Sequence, residues 1–176
     1  MSESMSAEIV IGGPFPRSLV PELLAKIQFD GAGFGWEETV PETEEDLVEK
    51  TDGYPLMLND HEAHYGRFEY LEAFLMQHGI PWNRNSAAKY EYDGLLTCFR
   101  PGQGVIEFYA TQDGDPLALM EDVLYIKERL LEVLNGKSWG ALKLALARID
   151  KVAPEIEELK PFEIVDDEPV IVIKEQ

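Results

Sequence analysis

KYEYDGLLTCFRPGQGVIEFYA, residues 89–110, decides the fold. Asp93-Gly94 stands between two β-prone runs, the preferred chemistry of a two-residue hairpin turn with positive φ at both positions. In that register Tyr92 faces Leu95, Tyr90 faces Thr97 and Lys89 faces Cys98. A second loop, Pro101-Gly102-Gln103-Gly104, pairs Phe99 with Ile106 and Thr97 with Phe108. One face of this three-stranded meander then carries Tyr90, Tyr92, Leu95, Phe99, Ile106 and Phe108. The other carries Lys89, Glu91, Arg100 and Glu107 among Leu96, Val105 and Tyr109. The alternation predicts an antiparallel sheet covered on one side, with the aromatic face as core.

Working outward, Asp115-Pro116 is a helix start, and the helix it opens runs to about Leu134 before Asn135-Gly136. Ser138 caps a second helix from Trp139 to Val152, stopped by Pro154. So short a link makes the two an antiparallel hairpin, expected to bury Leu119, Val123, Ile126, Leu130 and Leu134 against Leu142, Leu146 and Ile149. Upstream, Ile9-Val10-Ile11 before Gly12-Gly13-Pro14 is a strand entering a turn. Ser18 caps a helix carrying Leu19, Leu23, Leu24 and Ile27, and a short helix follows Pro41. A strand ends near Asn59-Asp60, and a helix with Phe68, Leu71, Phe74 and Leu75 on one side stops at Gly79. Trp36 and Trp82 fall in loops, and residues 162–165 and 170–173 are β-prone. Long helices mixed with hairpins indicate a single α+β domain over residues 7–176, with residues 1–6 a polar, unstructured N-terminus.

Charge limits the function. Thirty-four Asp and Glu oppose fifteen Lys and Arg, a formal net of −19 on 176 residues. Nucleic-acid backbones and anionic membrane faces would be repelled, and a basic protein is the complementary partner. The single Cys98 permits no intrachain disulfide. Residues 1–6 lack a basic region followed by an apolar run, and no apolar stretch has membrane length. A cytoplasmic setting is expected.

Catalytic patterns fail one by one. His61-Glu62-Ala63-His64, beside Asp60, offers two imidazoles and a carboxylate that could ligate zinc in a small metal-dependent hydrolase. The spacing is not H-E-x-x-H, and no second cluster completes a site. Asn135-Gly136-Lys137-Ser138 ends like a phosphate loop but has Leu131 where the first glycine belongs. Gly31, Gly33 and Gly35 miss the dinucleotide spacing. Cys98 has no nearby histidine to activate it. The chain is therefore expected not to be an enzyme and to need no cofactor or metal.

Spaced carboxylates imitate the phosphates of a nucleic acid, one charge per ~1.7 Å of duplex axis. The expectation is an inhibitor that masks a basic, nucleic-acid-binding groove, such as an immunity protein for a nuclease toxin or a counter-defence nucleic-acid mimic. Glu37, Glu38, Glu44, Glu45, Asp46, Asp166 and Asp167 are the candidate contacts, with Trp36 as an aromatic anchor. The second helix of the hairpin departs from the acidic rule: Lys137, Lys143, Arg148 and Lys151 spread over about 140° of one side. That stripe is suited to acidic segments of the same chain or of a second copy.

Overall fold

The structure, a computed structural model, describes residues 4–35, 39–89, 93–111, 113–136 and 138–167. Six antiparallel strands form one sheet: β1 (Ser4–Ile11), β3 (Leu56–His64), β4 (Trp82–Ser86), β5 (Gly94–Arg100), β6 (Gly104–Ala110) and β7 (Pro116–Leu117), in the order β3-β1-β4-β5-β6-β7. β2 (Gly13–Pro16) and β8 (Phe162–Val165) pair in parallel as a separate ribbon. The helices are α1 (Val20–Asp30), α2 (Glu44–Thr51), α3 (Glu69–Gln77), α4 (Met120–Leu134) and α5 (Trp139–Val152). This is the expected α+β domain. No helix among the described residues is long and apolar enough to cross a membrane.

One core organises these elements. Ile9 and Ile11 of β1, Leu56 and Leu58 of β3 and Trp82 of β4 meet Leu23 and Ile27 of α1, Leu47 of α2 and Leu71 and Leu75 of α3. Period-2 burial on β1 and helical spacing on α1 and α3 place these side chains on one face each, and each buried aliphatic stabilises by about 1.5–3 kcal/mol. Strand β1 starts at Ser4, paired with His64, so it extends into the segment expected to be unstructured. Ser18 is not a helix cap; it lies in a 3₁₀ turn, Arg17–Leu19, ahead of α1. Trp82 is not in a loop either: it is 1% exposed, in the middle of the core.

The meander differs from expectation by one residue. Phe99 pairs with Val105, Thr97 with Glu107 and Arg100 with Gly104. Its turn is Pro101-Gly102, with Gly102 at φ 86 and the Gln103 N–H donating to the Arg100 carbonyl at 3.1 Å, a type II arrangement. Gly104, also at positive φ (82), already belongs to β6. A one-residue slip moves every side chain of β6 to the opposite face, so Phe99 shares a face with Val105 and Tyr109, and Ile106 and Phe108 lie on the other. On its opposite edge β5 pairs with β4, Cys98 facing Asn83 instead of Lys89. Tyr90, Glu91 and Tyr92, the expected partners of β5, fall outside the described residues.

Asp115-Pro116 does not open a helix: Pro116 and Leu117 form β7 at the sheet edge, where a missing N–H costs least, and α4 begins at Met120. From α5 the chain returns as an extended strap to β8. Buried Arg100 holds it, Nε donating to the Glu157 carbonyl at 2.7 Å while Nη1 donates to the Trp82 carbonyl and Asn83 Oδ1. Burial depresses the Arg100 guanidinium, which has carbonyl and amide partners here.

Candidate functional site

The acidic residues of α2 divide into two roles. Thr43 Oγ1 accepts from the Asp46 N–H at 3.2 Å while Asp46 Oδ2 accepts from the N–H groups of Thr43 and Glu42 at 2.9 and 3.0 Å, a reciprocal capping box. Those backbone donors hold the Asp46 carboxyl below its ordinary value. Asp46 thus builds the helix, whereas Glu45 and Glu49 are exposed.

Arg17 links this helix to the segment that follows β8. Its Nε donates to Asp166 Oδ1 at 2.8 Å and its Nη1 to Glu44 Oε1. Beside it, Ser18 Oγ donates to Asp167 Oδ1 at 2.8 Å. The bond to Asp166, and then the charge of Glu44, raise the Arg17 guanidinium above its usual value. Glu44, Asp166 and Asp167, distant in sequence, therefore share one surface on which a single guanidinium opposes several carboxylates. Glu44 and Asp166 share the one Arg17 guanidinium, and Asp167 is held on the neighbouring Ser18. Trp36, Glu37 and Glu38 fall outside the described residues.

His61, Glu62 and His64 lie on β3, the outermost strand of the sheet among the described residues, which itself bridges to Gly33 at Asn59. A bulge sets His61 and Glu62 opposite Ser6 alone, since Asp60 pairs with Ala7 and Ala63 with Met5. His61 lines a cleft with Glu8, Asn59 and Asn85, while His64 lines a different one and packs edge-on against Tyr65 at 4.5 Å. Asp60 accepts from the Glu62 N–H at 2.7 Å. Among the described residues no three His, Cys, Asp or Glu side chains are grouped to hold a metal. Cys98 is buried, and burial raises its thiol against the opposing charge of Arg100.

A cleft of about 870 Å³ beside α3 has no counterpart in the sequence reading. Phe29 and Tyr70, 4.3 Å apart edge to face, and Tyr65 stand exposed at its rim. Its floor includes Arg84, paired with Glu72 and donating to Thr97 Oγ1 at 2.8 Å. Asp30 borders it, accepting from the Leu71 N–H at 2.7 Å; burial raises its carboxyl. Arginine within the Asn-rich run WNRNS carries no pattern of a buried strand, which is why sequence reasoning missed the cleft.

The α4–α5 hairpin is inverted relative to expectation. Leu119, Val123, Leu130, Leu134, Leu146 and Ile149 are 37–81% exposed, and Ile126 and Leu142 are half-buried. Between the helices lie Asp122, paired with Arg148, the small Ala141 and Ala145, and Tyr125, whose ring lies under the guanidinium groups of Arg129 and Arg148 at 5.2 and 5.8 Å. Part of the basic stripe of α5 is thus engaged within the chain. Comparison of the chain with protein-family models, with curated proteins and with solved structures finds no match.

Proposed function

We propose that the chain is a non-catalytic binding module that engages a basic protein partner in the cytoplasm through its acidic surface. The observation that carries the reading is the convergence of Glu44, Asp166 and Asp167 on Arg17 and Ser18, which brings carboxylates of α2 and of the segment after β8 onto one surface. Ordered like charges steer a partner of opposite sign and lose strength in salt. A groove that binds nucleic acid is the basic surface such a field fits best. In its most concrete form the protein inhibits a nuclease or another nucleic-acid-binding protein by covering that groove.

The test is a pull-down from the native host at low and high salt, with wild type and with a variant carrying Glu44→Gln, Glu45→Gln, Asp166→Asn and Asp167→Asn. Asp46 is left intact so that α2 keeps its cap. A basic partner retained only at low salt, lost with the variant and displaced by competing DNA or RNA, is the expected result. Recovery of no basic protein, or equal capture by the variant, would sink the reading.

A further inference from the structure

Two independent features single out the α4–α5 hairpin. The first is where apolar surface lies: among the described residues, eleven of the 21 large apolar side chains that stand exposed fall on residues 119–149. On α4 they recur with heptad spacing at Met120, Val123, Leu130 and Leu134, with Leu124 and Leu131 beside them and Lys127 the one interruption. At ~100° per residue they form a stripe about 120° wide, turned away from the Asp122, Ile126 and Val133 side that meets α5. On α5, Trp139, Leu142, Leu146 and Ile149 repeat at steps of 3 and 4.

The second feature is where charge vanishes. Residues 120–152 hold five acidic and six basic side chains, so the hairpin is close to neutral and the rest of the chain carries a formal −20. Elsewhere, two copies would meet with like charges face to face. Within the hairpin, Glu121 and Glu128 flank the apolar stripe of α4, and Lys143 flanks that of α5. The two helices are thus complementary in charge as well as apolar.

We infer that the hairpin is a self-association element: two copies pack α4 of one against α5 of the other, closing a four-helix bundle with Glu121 and Glu128 beside the partner's Lys143. Lys127, alone in the stripe, extends its ammonium to the rim and sets the register.

Sedimentation of the full chain tests this. A concentration-dependent dimer of twice the 19.9 kDa chain mass is expected. Leu131→Glu with Leu134→Glu, at positions 48% and 81% exposed, leaves the circular dichroism of the monomer unchanged and abolishes the dimer. Glu121→Lys with Glu128→Lys, or Lys143→Glu, each weakens it about tenfold or more, and an equimolar mixture of these two charge variants restores association as a heterodimer. A wild-type monomer at about 100 µM, a concentration at which a micromolar Kd would fill the dimer, overturns the inference. So does a dimer that survives the leucine substitutions, or a charge-variant mixture that stays monomeric. A monomer that cosediments with zwitterionic phosphatidylcholine vesicles would overturn it too, assigning the stripe to lipid.

Discussion

Arg84 Nη1 lies 2.6 and 2.8 Å from the two carboxylate oxygens of Glu72, joining β4 to α3 inside the core. Glu72 Oε1 also accepts from the Phe68 N–H at 2.9 Å, and the guanidinium is 2% exposed. Removing one partner strands a buried charge. Glu72→Ala is expected to cost about 3–5 kcal/mol in urea unfolding, whereas Glu72→Leu combined with Arg84→Met recovers most of that loss.

The capping box of α2 makes a two-part prediction. Thr43→Ala removes the acceptor for the Asp46 N–H and costs about 1 kcal/mol. The Asp46 carboxyl sits below its ordinary 3.8 in the fold, so its stabilisation is complete above that pH and is lost as pH falls through the folded value. The stability difference between wild type and Asp46→Asn is therefore constant above about pH 5 and shrinks below about pH 4, read by denaturant midpoints across pH.

Asp30 behaves with the opposite sign. Burial raises its carboxyl above 3.8, outweighing the Leu71 N–H bond, so its charge opposes folding above the folded value and the cost is relieved as pH falls towards 3.8. Asp30→Asn should gain in stability relative to wild type as pH rises above about 4, levelling off once pH passes the folded value, whatever its pH-independent offset.

Arg17→Ala unties Glu44 from Asp166 on an exposed surface, and the midpoint of unfolding should hardly move. The same change removes a positive charge from the acidic surface. Association with a basic partner of the kind proposed above should accelerate at low salt, with the gain disappearing at high salt, in stopped-flow mixing.

Gly12 separates β1 from β2, and a Cβ there would lie 2.5 Å from the Lys160 carbonyl oxygen and 3.0 Å from Leu159 Cβ. Gly12→Ala pushes the strap off the sheet and breaks the bond from the Gly13 N–H to Lys160, 3.1 Å in the native fold. A loss of about 1–3 kcal/mol is expected, with limited proteolysis cutting first within residues 153–161.

Where local chemistry is decisive, the sequence is legible. Residues 139–152 and 162–165 carry a cap, a periodicity or a β-branched run, and they form α5 and β8 as read. The Pro101-Gly102 turn is equally visible, yet its length is not: counting Gly104 as loop instead of strand moves Ile106 and Phe108 to the wrong face. β4 is invisible because Asn83, Arg84 and Asn85 have no strand pattern, and their burial depends on Glu72 and Arg100, which only tertiary structure brings near. At the acidic surface, composition named Glu44 and Asp166 but could not pair them, since Arg17 lies far from Asp166 in sequence. The leucines of the hairpin, expected inward, face outward because periodicity states that one face is apolar and not which way it turns.

The β2–β8 ribbon has a consequence for synthesis. Phe15, fully buried, rests against Phe162 with ring centroids 5.5 Å apart, and Gly13 pairs with Phe162. A ribosome adding 5–20 residues per second delivers Phe162 on the order of 7–30 s after Phe15. Throughout that interval the nascent chain lacks the strand that pairs with β2, and Phe15 has Phe74 but not Phe162 to pack against. The β2–β8 ribbon therefore forms only after residues 162–165 have been made and have left the ribosome.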